Sequence, residues 1–347
     1  MEFPDAVDLG PRPRATMRDV AALAGVGVKT VSRVVNNESG VSPALVERVQ
    51  RAVHQLDFRP NIAASNLRRT DGKTRSIGLL VHDVANPFSS ALHRAVEDVA
   101  HSRGVVVVAG SVHEDERRER QLAWAFVSRR VDGLILVPAG NDQSYLITER
   151  RAGMPMVFVD RAARVLDADA VLSAHDEAAR NAVEHLIAHG HRRIGYLGHP
   201  VVITTAVDRY SGYRDALNRA GIPLDTAIVR HDLANSEQAS SALAELLTLP
   251  DPPTAFFASQ VFVTTGAIKA LRQLGRHDDV AFVGFDDIPL ADVLGVTLVL
   301  QDVATIGGLA AEVLFRRLDG DDSPIRRHII PTQLVPRGSG EIPGPFR

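Results

Sequence analysis

Near the amino end, the segment VKTVSRVVN at residues 28–36 combines polar side chains with a helical repeat of valines. Its hydrogen-bonding residues are Lys29, Thr30, Ser32, Arg33 and Asn36. Side chains of these types contact phosphates and base edges in DNA, and an arginine can pair with guanine through two hydrogen bonds. Val31, Val34 and Val35 would form the buried stripe of the same helix. We therefore predict a helix that packs its valines inward and presents its polar face to DNA.

The residues around this segment predict the other helices that must position it. Thr16 and Asp19 are spaced as a capping pair for a preceding helix, and Gly25 permits a tight turn after it. Ser42–Pro43 is typical of a helix start. The apolar residues that follow at helical spacing are Leu45, Val46, Val49, Val53 and Leu56. We predict a helix-turn-helix domain over residues 15–60; the alternative is a helical cap on a larger domain.

Residues 61–74 connect this domain to the rest of the chain and leave two interpretations open. The stretch RPNIAASNLRRTDGKTR, which begins at Arg59, is polar and alanine-rich, with Leu67 as a candidate apolar wedge. One interpretation is a hinge helix that orders on DNA and inserts Leu67 into the minor groove. The other interpretation is a plain linker.

Charge and composition favour an intracellular DNA-binding protein. Residues 11–75 contain 12 Lys and Arg against 5 Asp and Glu, although the whole chain has a net charge of −3. Basic charge in this position promotes DNA binding by releasing counterions. The chain has no cysteine, its first residues lack the apolar core of a signal peptide, and no stretch approaches a membrane span of about 20 apolar residues. We expect a cytoplasmic protein with a flexible tail at residues 1–14.

After Arg75 the sequence alternates short apolar runs with amphipathic segments of helical length. The runs are SIGLLVHD, GVVVVAG, GLILVPA, PMVFVD, RIGYLG, TAFFAS and VAFVGFDD. Runs of this kind are typical of buried parallel strands, so the fold class is α/β and doubly wound. About 270 residues exceed one typical sheet, and we predict a core of two lobes over residues 75–340, followed by a tail at 341–347.

Ligands of doubly wound folds bind at the carboxyl ends of the strands. The candidate ligand residues there are Asp83, Asn86, Phe88, Asp160, Arg161, Arg209, Gln260 and Asp286. Carboxylates accept hydrogen bonds from hydroxyl groups and guanidinium groups donate to them, so this set suits a sugar or sugar derivative. Helix caps or surface ion pairs are the alternative roles for each residue.

No recognisable catalytic constellation is present. The sequence has no Walker loop, Gly-x-Ser-x-Gly elbow or Cys–His pair, and we predict no enzyme activity, no cofactor and no metal. Two other classes remain open for the α/β core: a sugar-binding protein and a sugar-acting enzyme.

Several motifs together resemble the lactose-repressor (LacI/GalR) family of bacterial transcription regulators. They are DVAALAGVGVKTVSRVVN, the VS-P turn at residues 41–43, RPNIAASNLR, HGHRRIGYLG, RYSGYRDALNRAGI and VAFVGFDDIPLA. The resemblance implies an N-terminal helix-turn-helix domain, a hinge helix and a two-lobed core like that of periplasmic binding proteins. It also implies a repressor that binds a pseudo-palindromic operator as a homodimer. The affinity of such a repressor for the operator depends on an effector bound between the lobes.

The same resemblance implies roles for individual residues. Val28, Lys29 and Arg33 would read bases, and Thr30, Ser32 and Asn36 would hold phosphates. Leu67 would be the hinge wedge, and Thr16 and Asn61 complete the predicted DNA contacts. Crossovers between the lobes are expected near Leu172, Gln301 and Ser323, which gives one lobe of 75–172 plus 302–322 and another of 173–300 plus 323–340.

The sequence departs from the family pattern at two positions. Gly27 stands where members usually have serine, which removes a side-chain cap and a phosphate contact. Gln260–Val261 replaces the Asn–Asp pair of many members, so one carboxylate is missing from the expected ligand site.

Overall fold

The computed structural model describes residues 15–36, 38–59 and 73–345. The chain forms two compact units, Met1–Thr74 and Arg75–Arg347. Within the described residues, no helix has both the length and the apolar character needed to cross a membrane.

The first unit contains the three predicted helices: α1 (Met17–Ala24), α2 (Val28–Val35) and α3 (Pro43–Gln55). The residues that form its small core are Val20, Ala21, Ala24, Val31, Val34, Val49, Ala52 and Phe58. Thr16 and Asp19 form a capping box at the start of α1, and Gly25 adopts a left-handed conformation with φ of 60° after it. Ser42 precedes α3 but its side chain makes no cap hydrogen bond. The helix-turn-helix predicted from sequence is therefore present.

The second unit consists of two α/β lobes. The first half of this unit contains β1 (Ser76–Val81), α4 (Pro87–Ser102), β2 (Val106–Ser111), α5 (Glu116–Ser128), β3 (Leu134–Leu136), α6 (Ile147–Arg151), β4 (Met156–Val159) and β5 (Asp169–Ser173). The second half contains α7 (His175–Ala188), β6 (Ile194–Leu197), α8 (Thr204–Arg219), β7 (Val229–Arg230), α9 (Ser236–Leu247), β8 (Ala255–Ala258), α10 (Val261–Gln273), β9 (Ala281–Phe285) and β10 (Thr297–Gln301). The chain ends with α11 (Val303–Leu318), β11 (Arg327–Ile330) and β12 (Thr332–Val335).

Each lobe is built on a six-stranded sheet covered by helices on both faces. The strand orders are β11-β5-β4-β3-β1-β2 in the first lobe and β12-β10-β9-β8-β6-β7 in the second. All described pairs are parallel except β10 with β12. The apolar runs predicted as strands become β1, β2, β3, β4, β6, β8 and β9, which confirms the α/β class. Both sheets reverse their strand order beside the first strand of the lobe, and such a switch point opens a ligand crevice at the carboxyl ends.

Three segments cross between the lobes, and one of them differs from the prediction. The chain leaves β5 at Ala174 and leaves β10 at Asp302, close to the predicted Leu172 and Gln301. The third crossover lies at Pro331, between β11 and β12, and the position predicted near Ser323 is wrong.

Arg317 explains why the chain stays with the first lobe beyond Ser323. Its guanidinium pairs with Asp169 at 2.8 Å and donates to the carbonyl oxygens of Asp321 and Ser323 at 2.9 and 2.5 Å. These bonds hold the segment beside the start of β5, where β11 then pairs with β5.

The predicted carboxyl-terminal tail is packed against the second lobe as far as Gly344. Glu341 pairs with His185 and accepts a hydrogen bond from Thr297 at 2.9 Å. The amide of Gly344 donates to the carbonyl of His189 at 2.8 Å. Residues 341–344 are therefore packed against the folded core.

Candidate DNA-binding and ligand-binding sites

The polar face of α2 is open to solvent. The side chains of Val28, Lys29, Arg33 and Asn36 are exposed, whereas Thr30 and Ser32 are half-buried. The side-chain amide of Asn36 donates from Nδ2 to the hydroxyl of Ser32 at 3.3 Å. Arg33 lies 4.0 Å from Glu38, a loose pair between two exposed side chains that contributes little to stability. The arginine is therefore available to another partner.

The turn before α2 is held by the third helix. Arg48 of α3 donates from Nη2 to the carbonyl oxygens of Ala24 and Gly25, at 2.6 and 3.2 Å. Gly27 is the residue before α2 and provides no side-chain cap. The hydroxyl and the amide of Thr16 both donate to Asp19 at 2.7 Å. Arg48 thus ties the turn between the first two helices to α3.

Two predicted DNA contacts, Asn61 and Leu67, lie outside the described residues. The hinge helix and the plain linker both stay predictions for residues 61–74.

A narrow polar cleft, with a cavity volume of about 40 Å³, lies between the carboxyl ends of the two sheets. Its lining residues are His82, Asn86, Phe88, Ser89, Glu114, Val137, Asp160, Arg161, His199, Thr205, Ala206, Arg209, Gln260, Asp286 and Gln301. Seven of the eight predicted ligand residues are among them. Asp83 is the exception, because its carboxylate accepts from the amide of Ala85 at 3.0 Å and faces His113 at 3.6 Å instead.

Arg209 occupies the buried base of the cleft and is fixed on several sides. Its Nη1 donates to the carbonyl of Ser259 at 2.6 Å, and Nε and Nη2 each lie 3.3 Å from Nδ1 of His175. Its guanidinium stacks 3.8 Å above the ring centroid of Phe285. Because arginine only donates hydrogen bonds, Nδ1 of His175 must be the acceptor, which leaves the proton on Nε2.

Asp160 lies opposite His175 and retains hydrogen-bonding capacity. Its Oδ1 is 3.2 Å from Nε2 of His175 and its Oδ2 is 3.6 Å from Nε of Arg161, but neither contact is an aligned hydrogen bond. Burial alone would raise the pKa of Asp160. The nearby His175, Arg161 and Arg209 outweigh that effect and hold the pKa below its usual range. Asp160 is therefore an ionised acceptor at the cleft surface.

The guanidinium of Arg161 pairs with a second carboxylate of the cleft, that of Glu114. Its Nη1 and Nη2 each donate to Glu114 at 2.6 Å, and Nη1 also donates to the carbonyl of Pro138 at 2.9 Å. Nδ1 of His82 lies 3.1 Å from the same carboxylate. Burial raises the pKa of Glu114, but hydrogen bonds from Arg161 and His82 outweigh it and lower the pKa to about 2.

Asp286 occupies the position in the second lobe that Asp160 has in the first. Both residues directly follow a strand and both have left-handed backbones, with φ of 70° and 65°. Strain of this kind is concentrated at functional sites. Asp286 accepts from Nε2 of Gln301 at 2.6 Å, and Oε1 of Gln301 accepts from the hydroxyl of Ser173 at 2.6 Å. Burial raises the pKa of Asp286 because Arg209 and Gln301 offset it only in part.

Gln260 and Asn86 each line the cleft and also cap a helix. Oε1 of Gln260 accepts from the amides of Phe262 and Val263, and Oδ1 of Asn86 accepts from the amide of Phe88 at 2.9 Å. Both residues therefore serve as helix caps, the alternative role given above, and they also line the cleft.

Sequence reasoning missed several cleft residues. The additional ones are His82, Ser89, Glu114, Val137, His199, Thr205, Ala206 and Gln301. His82, Glu114 and His199 each follow an apolar run that was predicted as a strand, so the same strand-end rule could have identified them. Nothing in the sequence points to His175, which contacts Arg209 and Asp160 from the start of α7.

Comparison with known proteins supports both parts of this description. Residues 16–61 match the family "Bacterial regulatory proteins, lacI family", and residues 183–340 match the "Periplasmic binding protein-like domain". The ribose operon repressor of Halalkalibacterium halodurans is 34% identical over 329 residues, which cover 93% of this chain and 96% of that protein. The HTH-type transcriptional repressor CytR of Escherichia coli is 30% identical, with 94% and 96% covered.

Solved structures resemble the chain over nearly its whole length. The lac repressor dimer bound to operator and the anti-inducer ONPF aligns with a TM-score of 0.83 and 26% identity, covering 94% of this chain and 99% of that one. The transcriptional regulator CelR in complex with cellobiose aligns with a TM-score of 0.69 and 32% identity, covering 94% and 100%. These relatives are named for transcription regulation, not for an enzymatic reaction. The chain belongs to the LacI family of bacterial transcription regulators.

Proposed function

We propose that this chain is a cytoplasmic repressor that binds a pseudo-palindromic operator as a homodimer. In this proposal a sugar or sugar derivative in the cleft changes its affinity for the operator. One observation carries the proposal. The same chain contains an exposed helix with basic side chains, α2, and a cleft lined by charged groups from two lobes. The relatives named as repressors and the lac repressor dimer on its operator support the assembly.

The DNA-binding part of the proposal assigns base contacts to the exposed face of α2. Arg33 reads a guanine, with Lys29 and Val28 beside it, while Thr30, Ser32 and Asn36 hold phosphates. Thr16, Asn61 and Leu67 add contacts from outside α2, which is the recognition helix of this proposal. A two-fold symmetric dimer would place two such helices in successive major grooves of an inverted repeat.

The ligand part of the proposal follows from the donors and acceptors in the cleft. Asp160 and Asp286 accept from ligand hydroxyl groups, Arg161 and Arg209 donate to them, and Phe88 contributes an apolar surface. Asn86 and Gln260 complete the proposed set. Because a ribose operon repressor is among the relatives, D-ribose is the first compound to test.

Coupling between the two functions requires that the ligand favour one arrangement of the lobes. Ser173 lies at the end of β5 and Gln301 at the end of β10, beside two of the three crossovers. The hydrogen bond between them joins the two crossovers beside Asp286. A ligand that competes for Asp286 would loosen this link, and that is how we propose the cleft signals to the DNA-binding unit.

The test is selection of DNA by the purified full chain. Fragmented genomic DNA from the source organism is incubated with the protein at near-physiological salt, and the retained fragments are sequenced with and without D-ribose. We expect enrichment of a few inverted repeats and a change in their retention with a sugar that binds. The Arg33→Ala variant should lose the enrichment. Retention by wild type without sequence preference would contradict the proposed repressor.

A further inference from the structure

The guanidinium of Arg161 is committed to a protein carboxylate although it lines the cleft. Both terminal nitrogens donate to Glu114 at 2.6 Å, and one also donates to the carbonyl of Pro138. The side chain of Arg161 is only 10% exposed and that of Glu114 only 18%. Bidentate pairs of this kind are strong and geometrically specific, so a phosphate or carboxylate group of a ligand would have to displace Glu114.

The loop after β2 is shaped to bring Glu114 into this position. His113 and Glu114 are consecutive residues with left-handed backbones, at φ of 52° and 56°. Non-glycine residues rarely adopt this region, and such strain persists only where surrounding contacts hold it. The contacts here are those of the Glu114 carboxylate with Arg161 and with His82, at 2.6 and 3.1 Å.

The second guanidinium of the cleft is also engaged within the protein. Arg209 donates to Ser259 and His175 and stacks on Phe285. Burial and the nearby guanidinium groups lower the pKa of His199 to about 4, so this residue is neutral. The lining residues in the described part of the chain include three carboxylates, Glu114, Asp160 and Asp286, against these two guanidinium groups.

An anionic ligand would therefore meet more carboxylate than uncommitted positive charge. A neutral polyol avoids this repulsion, and its hydroxyl groups can still accept from the remaining N–H groups on the terminal nitrogens of Arg161 and Arg209. We propose that Glu114 is a specificity-determining residue that makes the cleft select neutral sugars over sugar phosphates and sugar acids. This inference rests on the proposed function, because it names the ligand class of the same cleft.

The experiment compares ligand binding by the full chain and two variants that lose the same charge. Glu114→Gln removes the carboxylate from Arg161 and keeps the side-chain length. Glu116→Gln is the matched control, because Glu116 is exposed and does not line the cleft. Isothermal titration with D-ribose, D-ribose 5-phosphate and D-ribonate measures each affinity, and thermal unfolding with inorganic phosphate provides a second measurement.

We expect the ratio of anion affinity to D-ribose affinity to rise by about tenfold or more in Glu114→Gln. The ratio should be unchanged in Glu116→Gln. Phosphate should raise the melting temperature of Glu114→Gln more than that of wild type, because it replaces the missing partner of Arg161. This phosphate comparison also tests the inference if D-ribose does not bind.

Three results would overturn the inference: wild type binding D-ribose 5-phosphate as tightly as D-ribose, no gain in Glu114→Gln, or an equal gain in Glu116→Gln. Failure of the proposed function is distinguishable, since the genomic DNA selection would then show no sequence preference.

Discussion

The first turn of the recognition helix lacks a side-chain cap, and Gly27→Ser should provide one. The backbone of Gly27 has φ of −71° and ψ of 149°, which a serine adopts without strain. A Cβ built at this position meets no atom within 4 Å. A serine hydroxyl there can accept from the amide of Lys29 or Thr30.

The magnitude follows from comparing serine with alanine at the same site. Both substitutions reduce the conformational freedom of the unfolded chain, which stabilises by about 0.4–1 kcal/mol. Only serine adds the cap, and at this helix position serine exceeds alanine by about 1 kcal/mol. Gly27→Ala is therefore the control that isolates the hydroxyl.

Amide hydrogen exchange in the full chain measures this difference locally. If α2 opens independently, a cap of 1 kcal/mol should slow exchange of the first-turn amides of Gly27→Ser about fivefold relative to Gly27→Ala. Equal exchange in the two variants would show that the serine hydroxyl does not cap α2.

Four further variants test a base contact, the packing at two glycines and a buried histidine. Arg33→Ala should weaken binding to the operator by about 1–3 kcal/mol more than binding to unrelated DNA, measured by fluorescence anisotropy; equal losses would argue against base reading. Gly212→Ala should destabilise by about 1–3 kcal/mol in urea unfolding, because its Cβ would lie 2.1 Å from the carbonyl of Asp176. A Cβ at Gly308 on α11 meets no atom within 4 Å, so Gly308→Ala should raise the free energy of unfolding by up to about 1 kcal/mol. The same change in stability at both glycines would contradict the explanation from packing. Burial lowers the pKa of His199 from 6.5 to about 4, so the unfolded chain binds a proton that the folded chain excludes, and stability falls as pH falls from 6.5 towards 4. Between pH 7 and pH 5, the free energy of unfolding should fall by about 2 kcal/mol less in His199→Gln than in wild type, measured by urea unfolding at both pH values. An equal fall in the two proteins would exclude His199 as the cause.

The fold could be predicted well because its signals are local. Thr16, Asp19 and Gly25 specify a helix start and a turn through bonds within a few residues. The strand runs are almost continuously apolar because both faces of a parallel sheet are covered. The third crossover could not be predicted in this way. It depends on Arg317 pairing with Asp169, a contact between residues 148 positions apart.

The candidate site was predictable only as far as strand ends reveal it. Asp286 directly follows β9, as the strand-end rule predicts, whereas Arg209 lies within α8 and reaches the cleft from a helix. Asp83 follows the first strand but turns away to bond with Ala85. Glu114 was overlooked, and its role becomes apparent only when the loop after β2 is seen to bring it to Arg161. Short-range patterns locate the edge of a sheet but do not show which side chains pair across it.

In the proposed repressor, the ligand cleft and the recognition helix α2 are coupled in one molecule. The most direct test measures D-ribose affinity with and without saturating operator, and operator affinity with and without saturating D-ribose. Linkage requires that the two ratios be equal, and we predict a factor of about five or more in both. If D-ribose binds in the cleft with the same affinity whether or not operator is bound, the cleft and α2 are not coupled.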